Sequence, residues 1–536
     1  MQRNLGPSYF LLALNTRAPQ GTSSTPSSKH KTVFGTLPWL SFTCFSPTDF
    51  SESTVSFLME KTSGSGIEIL VDGCASKTST LRRHQFLVSL CVCNLSDAVE
   101  ITCIGYILGY LDGIALIDKE MLGASVIIGM LFGGIILGQL GDVLGRKTCL
   151  QASILTSAMA ALASAFSPGV SALVAFRIIG GFGIGGVVPA LYSLGAELFP
   201  KAKKSKMLTT IACCWILGSI YASVAGWIIL GDDANGRRIC PGLTWRAYAI
   251  VCAVPSFLAW LSTLLLIESP LFLIQRGKLE LAAKSLSYMS HEEVSVEAIS
   301  AHKGYFESEK SSNLRPIFRS PMRFPFFLLS VTWFCISFTG YGLMTWVATV
   351  FIELGYVNPF ADACIINFST LPGNLTAIFF VDKIGRREMV YWGMLFSGLS
   401  TLGFAIQTSN AALVLTCASL YGYFNSAGWS ALFTVTADMY FPTKSRSSAV
   451  GLLSACGRVG GISAQFVFGY MQSNIPALLF VTSSLTLLGA FTAYFLPPAY
   501  EQPSSTNSHD KDSEIVSMDL YLEAGKSGRA DLAVEY

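Results

Sequence analysis

Long apolar segments alternate with short polar stretches through most of the chain. Twelve of these segments are about twenty residues long, which is the length of helix that crosses the hydrocarbon core of a bilayer. Because that core offers no hydrogen-bond partner to an exposed backbone group, each segment is predicted to be an α-helix. Spans 1 to 12 are predicted at Gln85–Leu111, Ala124–Gly141, Cys149–Phe166, Ser171–Ala190, Met207–Leu230, Ala247–Ile267, Pro325–Glu353, Ala361–Val381, Met389–Ile406, Ala411–Thr436, Ala449–Met471 and Pro476–Leu496.

Composition favours a membrane protein over a soluble one. Only 13% of the 536 residues are charged and 51% are hydrophobic, whereas charged residues make up about a quarter of a soluble domain. The net charge of +2 also argues against the broad basic surface that binds nucleic acid. The predicted fold class is an all-α polytopic membrane protein that sits in a lipid bilayer and has no nucleic-acid partner.

Basic residues collect in the even-numbered loops, which follow spans 2, 4, 6, 8 and 10. Loop 2–3 carries Arg146 and Lys147, and loop 4–5 carries four lysines between residues 201 and 206. Because basic loops stay on the cytosolic side, we expect these loops and both chain termini in the cytosol. The membrane is predicted only as the plasma membrane or that of an intracellular vesicle or organelle.

Loop 6–7 is long and divides the spans into two sets of six. We predict a six-helix bundle over residues 85–267, a cytosolic linker over 268–324 and a second bundle over 325–497. Residues 1–84, rich in Ser, Thr and Pro, and the polar residues 498–536 are predicted to be disordered cytosolic tails. Two such bundles form a cleft between them, and rocking of one against the other gives alternating access.

A polar, glycine-containing loop occurs after span 2 and again after span 8. The first copy is GQLGDVLGRK, residues 138–147, and the second is DKIGRR, residues 382–387. One copy alone is compatible with a positively charged turn that only sets topology. Two copies at equivalent places indicate an internal repeat with a shared mechanical role.

The first copy of this loop joins two helices tightly. Asp142 is expected to cap or attract a neighbouring helix N-terminus, whose dipole is positive. Glycine suits a tight connection because it adopts backbone angles that other residues avoid. The backbone turns are predicted at Gly138, Gly141 and Gly145.

These loops resemble the signature loops of the major facilitator superfamily, GxLxDxxGRK and DxxGRR. RIIGGFGIGG in span 4, AELFPKAKK after it, ESPLFLIQRGKL after span 6 and FPTKSR after span 10 are similar to further motifs of that superfamily. SDAVEI in span 1 and GFGIGGVVPALY in span 4 look most like the synaptic vesicle two-related and organic-ion branch of metabolite:proton symporters. The resemblance covers about residues 85–498 and implies two pseudo-symmetric six-helix bundles.

The resemblance also implies a cytosolic charge relay that locks the outward-facing state. Lys204 and Leu271 stand where the family usually has arginine, so the first-half side of the relay is expected to be weaker. The residues of this conformational gate are Gly138, Asp142, Gly145, Arg146, Lys147, Glu197, Glu268, Asp382, Gly385, Arg386 and Arg446.

Charged residues inside the predicted spans are few, and a charge in the hydrocarbon core usually marks a functional site. At about 1.5 Å rise per residue, Glu100 of span 1 and Arg177 of span 4 are predicted at a similar depth. A carboxylate beside an arginine can hold or release a proton as the arginine moves. The resemblance to proton-coupled sugar porters implies this role for Glu100 and Arg177, with Asp97 as a further proton-coupling candidate. The alternative is a permanent salt bridge that only joins the two spans.

Arg458 lies near the middle of span 11, between Gly457 and Gly460. An arginine that faces the cleft would attract a carboxylate; the alternative is a structural pair with an acid of the same half. Aromatic and amide residues of spans 7 to 11 are further candidates for substrate binding, although each alone is more often a packing residue. They are Tyr341, Trp346, Asn374, Asn425, Trp429 and Gln465.

The leading functional prediction is a proton-coupled secondary transporter of a small organic solute, such as an organic ion, a carboxylate or a sugar-like metabolite. A facilitative uniporter, and a non-transporting sensor or vesicle-membrane protein on the same fold, remain alternatives. Enzyme activity is not expected, because no nucleophile–base arrangement or metal-ligand spacing appears. No cofactor or metal is predicted. The expected partners are the solute, a proton and lipid, and the expected state is a monomer.

Overall fold

The computed structural model describes residues 66–111, 113–232, 237–301, 315–318, 322–406, 410–438 and 443–497. Sixteen α-helices lie in these residues, and twelve of them correspond to the predicted spans. Eleven of the twelve are long and apolar enough to cross a membrane; span 10 is a helix of 28 residues that is less apolar. Spans 1 to 12 extend over Thr80–Tyr110, Leu116–Leu144, Arg146–Ala165, Val170–Leu198, Lys201–Leu230, Trp245–Thr263, Arg323–Glu353, Pro359–Ile384, Arg386–Ile406, Ala411–Asp438, Thr443–Met471 and Ile475–Tyr494.

The two halves repeat the same helix packing. In the first half, span 4 packs on spans 2 and 3, span 6 on spans 3 and 1, and span 5 on span 1. Every one of these pairs recurs in the second half with six added to each span number. Between the halves, span 2 packs on span 11, span 5 on span 8 and span 1 on span 7, which is the pattern of a two-fold axis. The predicted repeat is therefore a repeat of the whole bundle.

Glycines let spans 2 and 4 approach to backbone contact. A Cβ on Gly181 would overlap the backbone of Val126, and a Cβ on Gly133 would overlap that of Phe182. Small residues allow such close packing in membranes. The glycines that follow Arg177 therefore hold span 4, and with it this arginine, firmly within the first bundle.

The halves touch on the side of the molecule that is remote from the basic loops. A hydrophobic cluster there takes residues from both halves, including Tyr106 of span 1 and Phe360 of span 8. Toward the basic loops, two other clusters of the described residues each belong to one half, one around Leu90 and the other around Leu453. The central cleft therefore opens toward the basic loops.

A short helix, α1 (Gly66–Lys77), precedes span 1 and packs on the loop between spans 6 and 7. Asp72 of α1 accepts a 2.6 Å hydrogen bond from the backbone N–H of Lys201, where span 5 begins. The loop itself contains three further short helices. They are α2 (Pro270–Gln275), α3 (Leu279–Ser290) and α4 (Val296–Ala301).

The boundary predicted for the N-terminal tail at residue 84 is wrong. Span 1 begins at Thr80, where Ser79 Oγ accepts a hydrogen bond from Arg82 N at 3.4 Å, and α1 lies before it. The guanidinium of Arg82 lies 4.0 Å from the ring of Tyr288, in the loop between spans 6 and 7. A charged side chain with a partner elsewhere in the fold does not end a helix. The rest of both predicted tails, residues 1–65 and 498–536, lies outside the described residues.

Candidate functional site

Glu100 and Arg177 form an ion pair in the interior of the first half. Arg177 Nη1 donates to Glu100 Oε2 at 3.0 Å, and Ser256 Oγ of span 6 donates to Glu100 Oε1 at 3.0 Å. Glu100 is only 3% exposed and Arg177 only 2%, so water does not screen the pair. The structure thus brings together the two residues that were placed at similar depth, and both carboxylate oxygens have a partner.

The guanidinium of Arg177 is less well satisfied than the carboxylate. Nη1 also lies 3.1 Å from Cys103 Sγ, while Nε and Nη2 are buried and have no hydrogen-bond partner in the part of the chain that the structure describes. The charge of Glu100 is what makes this arginine tolerable in the interior. Because these partners all belong to the first half, the pair does not connect the two halves.

Asp97 lies one helical turn from Glu100 but has different neighbours. Trp215 Nε1 of span 5 donates to Asp97 Oδ2 at 3.1 Å. The other oxygen, Oδ1, is buried without a hydrogen-bond partner among the described residues. Such an oxygen is rare in a folded protein, which makes it a candidate contact for a solute or a proton. Trp215 is absent from the sequence predictions because a tryptophan in an apolar span usually serves packing.

Arg458 lies in the second half, within electrostatic reach of Asp97. Asp97 and Arg458 are each thirteen residues from the last residue of their helices, Tyr110 and Met471, so both lie about 20 Å below the remote ends. The described ion pairs do not include these two residues, and Arg458 Nη1 is buried without a hydrogen-bond partner there. An acid and a base with unfilled hydrogen-bonding positions therefore stand on either side of the boundary between the halves.

Tyr341 of span 7 stands near both charges. Its hydroxyl interacts electrostatically with Asp97 and with Arg458. A Cβ on Gly461, one turn from Arg458, would lie 2.8 Å from the ring of Tyr341 and 3.4 Å from Ile127 of span 2. Arg458 is thus placed where spans 2, 7 and 11 meet.

Tyr341, Trp429 and Asn425 line one stretch of the second half. The ring centroids of Tyr341 and Trp429 are 5.7 Å apart in an edge-on arrangement. A Cβ on Gly340 would lie 3.3 Å from Trp429 and 3.6 Å from Asn425 Nδ2. Asn425 Oδ1 is buried and has no hydrogen-bond partner among the described residues. This group can supply an aromatic wall and a carbonyl acceptor to a ligand.

The other three predicted cleft residues make hydrogen bonds within the second half. Trp346 Nε1 donates to Gln465 Oε1 at 2.9 Å, and both residues are buried. Asn374 Nδ2 donates to Ser430 Oγ at 3.1 Å, and Asn374 Oδ1 lies 3.7 Å from Cys213 Sγ of the first half. Asn374 therefore lies at the boundary between the halves, whereas Trp346 and Gln465 pack spans 7 and 11 together.

The first-half members of the predicted relay gather on the side of the basic loops. Arg146 Nη1 lies 2.8 Å from Asp142 Oδ1, and Arg146 Nε lies 3.8 Å from Glu197 Oε1. Ser269 Oγ donates to Glu197 Oε2, and Ser269 N donates to Glu268 Oε1 at 3.0 Å. Two ion pairs between spans and two hydrogen bonds of the loop after span 6 therefore form one cluster within the first half.

The capping role predicted for Asp142 is wrong. Asp142 pairs with the side chain of Arg146, and the N-terminus of span 3 is capped by Glu268. Glu268 accepts hydrogen bonds from the backbone N–H groups of Lys147 at 2.9 Å and Thr148 at 3.3 Å. A carboxylate from a distant loop thus meets the helix dipole. The sequence predicted Glu268 as a gate residue but not as the cap of span 3.

Only one of the three predicted turn glycines makes the turn. Gly138 and Gly141 lie inside span 2, whereas Gly145 follows its last residue with a φ of 116°. A Cβ on Gly145 would also overlap the carboxylate of Glu268. Gly385 takes the same place in the second copy, with a φ of 99°.

The second copy shares the backbone of the first. Span 9 begins at Arg386, directly after the turn glycine, as span 3 begins at Arg146. The side chains of Asp382 and Arg446 lie outside those that the structure describes, so their part in a relay stays a prediction. Leu271 packs among the apolar residues of α1 and α3, which explains why no arginine stands there.

On the side remote from the basic loops, hydrogen bonds and rings join the halves. Thr102 Oγ1 donates to Ser219 Oγ at 3.1 Å, and Ser219 Oγ donates to Asn367 Oδ1 of span 8 at 3.1 Å. Tyr106 stacks on Phe360 with ring centroids 5.9 Å apart. The cleft is closed on this side by residues that carry no motif.

Among solved structures, the chain is similar to a partially occluded, inward-open conformation of the xylose transporter XylE from E. coli. The TM-score is 0.64 at 18% identity, and the match covers 77% of this chain and 98% of that one. At this identity the likeness shows the fold, and it confirms the predicted arrangement of two six-helix bundles.

Three curated proteins show how broad the sequence likeness is. The niacin transporter NiaP of Acinetobacter baylyi is 27% identical over 348 residues, which are 64% of this chain and 76% of that protein. The synaptic vesicle 2-related protein of Pongo abelii is 27% identical over 401 residues, or 70% of each chain. Human organic anion transporter 3 is 28% identical over 414 residues, or 74% of this chain and 72% of that one. The resemblance to the synaptic vesicle two-related and organic-ion branch is therefore confirmed.

The model of the family "Sugar (and other) transporter" matches residues 88–503. This match begins in span 1 and extends beyond span 12, so it includes both bundles and the cleft between them. The family consists of transporters rather than enzymes, in agreement with the sequence. The chain therefore belongs to the sugar (and other) transporter family of the major facilitator superfamily.

Proposed function

We propose that this protein is a proton-coupled secondary transporter of small organic anions. The observation that carries the proposal is the position of Arg458, which lies half-buried at the boundary of the halves with Nη1 unpartnered among the described residues. A guanidinium presents its N–H groups as a planar fork that matches a carboxylate. Charge-assisted hydrogen bonds of this kind are about twice as strong as neutral ones.

The groups beside Arg458 favour a planar, aromatic carboxylate. Tyr341 and Trp429 offer ring edges and faces, and Asn425 offers a carbonyl acceptor. Ligand sites typically combine such apolar walls with a few placed polar groups. The similar proteins named for niacin and for organic anions support the same class of solute.

We further propose that the basic loops and both termini face the cytosol, as the distribution of lysine and arginine indicates. The cleft described above would then be open to the cytosol. Rocking of the halves would expose Arg458 to the other side, and the cluster of Asp142, Arg146, Glu197 and Glu268 would act as part of the conformational gate. Protease digestion of terminal tags in sealed, right-side-out vesicles tests the orientation, because tags in the cytosol are protected.

Transport of nicotinate, the anion of niacin, by the purified chain in proteoliposomes tests the function. With an inward proton gradient, we expect accumulation above the external concentration, and we expect it to collapse when an ionophore removes the gradient. Empty liposomes are the control. Absence of uptake for nicotinate and for a panel of aromatic carboxylates, cations and sugars would favour a sensor instead.

A facilitative uniporter is the second candidate, because one observation favours it. Both oxygens of Glu100 are already bonded, to Arg177 and Ser256, so this acid can serve as a structural element. A uniporter would equilibrate nicotinate across the membrane at the same final level with and without the proton gradient.

A further inference from the structure

We infer that Asp97, rather than Glu100, carries the transported proton, and that it does so by alternating with the substrate carboxylate as the counter-charge of Arg458. The inference rests on the proposed function and names the coupling step within it. It is carried by two positions that have no hydrogen-bond partner among the described residues, Asp97 Oδ1 and Arg458 Nη1. They belong to opposite halves, and each residue lies thirteen residues from the remote end of its helix.

Glu100 is poorly suited to exchange its proton during each cycle. Its two oxygens accept hydrogen bonds from Arg177 and Ser256, and all three residues belong to the first half. Rocking of one half against the other does not separate groups within the same half. Asp97 and Arg458 belong to different halves, so the distance between them changes when the cleft opens and closes.

Charge balance explains the coupling. Without substrate, an ionised Asp97 and Arg458 sum to zero charge. When a carboxylate binds Arg458, an ionised Asp97 would leave the site with a net charge of −1, which is costly in a low-dielectric interior. When Asp97 takes a proton from the side to which the cleft is open, the net charge of the site returns to zero. Empty and loaded sites are then both neutral, and one proton accompanies each carboxylate.

The groups around Asp97 support this assignment. Titratable side chains that act on it or feel its charge come from four spans: Glu100 on its own helix, Tyr192 on span 4, Tyr341 on span 7 and Arg458 on span 11. The charge of Glu100 is already balanced by Arg177, and both tyrosines are neutral near pH 7. Among these neighbours, Arg458 is the one whose charge a substrate can cancel.

Trp215 acts as a positioning residue. Its Nε1 donates to Asp97 Oδ2, which holds the carboxylate and leaves Oδ1 free for the proton. A donated hydrogen bond favours the ionised form of a carboxylate. Its removal should therefore move the pH at which the proton is taken up, without removing the acid itself.

The experiment compares the wild-type chain, Asp97→Asn, Trp215→Phe and the control Asp118→Asn in proteoliposomes, with nicotinate as the probe. Asp118 lies in the first turn of span 2, remote from the cleft centre. Gradient-driven accumulation, counterflow exchange and binding affinity between pH 5.5 and 8 are measured. For the wild type we expect the affinity for nicotinate to fall as the pH rises, by up to about tenfold per pH unit, because one proton is bound with each carboxylate.

Asp97→Asn should lose gradient-driven accumulation by about tenfold or more but keep counterflow, because exchange needs the cleft to move without a proton. Its affinity should be independent of pH. Trp215→Phe should keep accumulation and shift the pH midpoint upward. A pH-indicator dye should show uptake of one proton per nicotinate bound to the wild type, which tests the step even if Asp97→Asn does not fold.

Accumulation that survives in Asp97→Asn, or nicotinate binding to the wild type without proton uptake, would overturn the inference while leaving transport of the anion intact. Uptake driven by a membrane potential alone would overturn the one-to-one, electroneutral stoichiometry. If the wild type transports no carboxylate at all, the proposed function itself fails, and this outcome is distinct from the others.

Discussion

Two acid–arginine couples lie inside the membrane-spanning region of this protein, and they differ in how complete they are. Glu100 and Arg177 touch at 3.0 Å within one half, and Ser256 completes the carboxylate. Asp97 and Arg458 belong to different halves, and each has an unfilled hydrogen-bonding position among the described residues. The first couple joins three spans of one bundle, whereas the second is where we propose that the substrate carboxylate binds. A buried charge therefore indicates function most strongly where its pairing is incomplete and crosses a moving boundary.

The largest expected effect is on the stability of the protein and comes from Glu100 and Arg177, the closed couple. Arg177→Ala leaves the Glu100 carboxylate buried and unpaired, and removal of one partner of a buried pair typically costs about 3–5 kcal/mol. Thermal unfolding of the purified protein in detergent measures the loss. The double variant Glu100→Gln with Arg177→Gln should recover much of it, because no charge is then stranded. A loss as large in Arg458→Ala would contradict the distinction between the two couples.

The next effect concerns substrate binding at Asp97 and Arg458, the open couple. Arg458→Gln removes the guanidinium, and a hydrogen bond to a charged group is worth about 1.5–3 kcal/mol, so nicotinate affinity should fall about 10- to 100-fold. Arg458→Lys keeps the charge but not the planar fork, so its nicotinate affinity should lie between that of the wild type and that of Arg458→Gln. Arg246→Gln, in the first turn of span 6, is the matched control. Unchanged affinity in Arg458→Gln would place the substrate elsewhere.

A smaller effect is expected from the third partner of Glu100. Ser256→Ala removes one neutral donor to the carboxylate, so stability should fall by about 1 kcal/mol. Nicotinate affinity should change less than about twofold, since the closed couple does not touch the substrate in this scheme. Unfolding and equilibrium binding are measured on the same preparation. A loss of binding free energy larger than the loss of unfolding free energy would indicate that Glu100 is a binding or coupling residue.

The smallest effect is expected at the exposed pair of the gate. Asp142 and Arg146 lie 2.8 Å apart, but the Asp142 side chain is 66% exposed, and such pairs contribute at most about 1 kcal/mol. Asp142→Asn should therefore raise labelling of cleft cysteines from the basic side by no more than about fivefold. Unchanged labelling would reduce this loop to a signal for topology.

The positions of the membrane helices were readable from the sequence because the bilayer imposes a length and an apolar composition on every span. The errors lie at the edges. Span 1 starts before its predicted first residue because Ser79 caps the helix and the guanidinium of Arg82 lies over the ring of Tyr288. Likewise, Gly138 looked like a turn residue, but its φ is helical and only Gly145 turns the chain.

The charged residues of the interior were also readable, since a charge in an apolar run stands out against its neighbours. Their partners were not. Trp215 and Ser256 look like ordinary packing residues, and nothing local in the sequence connects either of them with Asp97 or Glu100.

By itself, the sequence determined the class of protein, the twelve spans, the two-fold repeat and the small set of intramembrane charges, because each of these follows from local composition and spacing. Only the tertiary structure decided that Glu100 is fully bonded within one half, that Asp97 and Arg458 are left incomplete on opposite sides of the cleft, and that Glu268 rather than Asp142 caps span 3. These outcomes depend on how helices distant in the chain rotate and pack against one another. Such packing is set by the whole bundle at once, through contacts such as that of Gly461 with Tyr341, and no single stretch of sequence contains it.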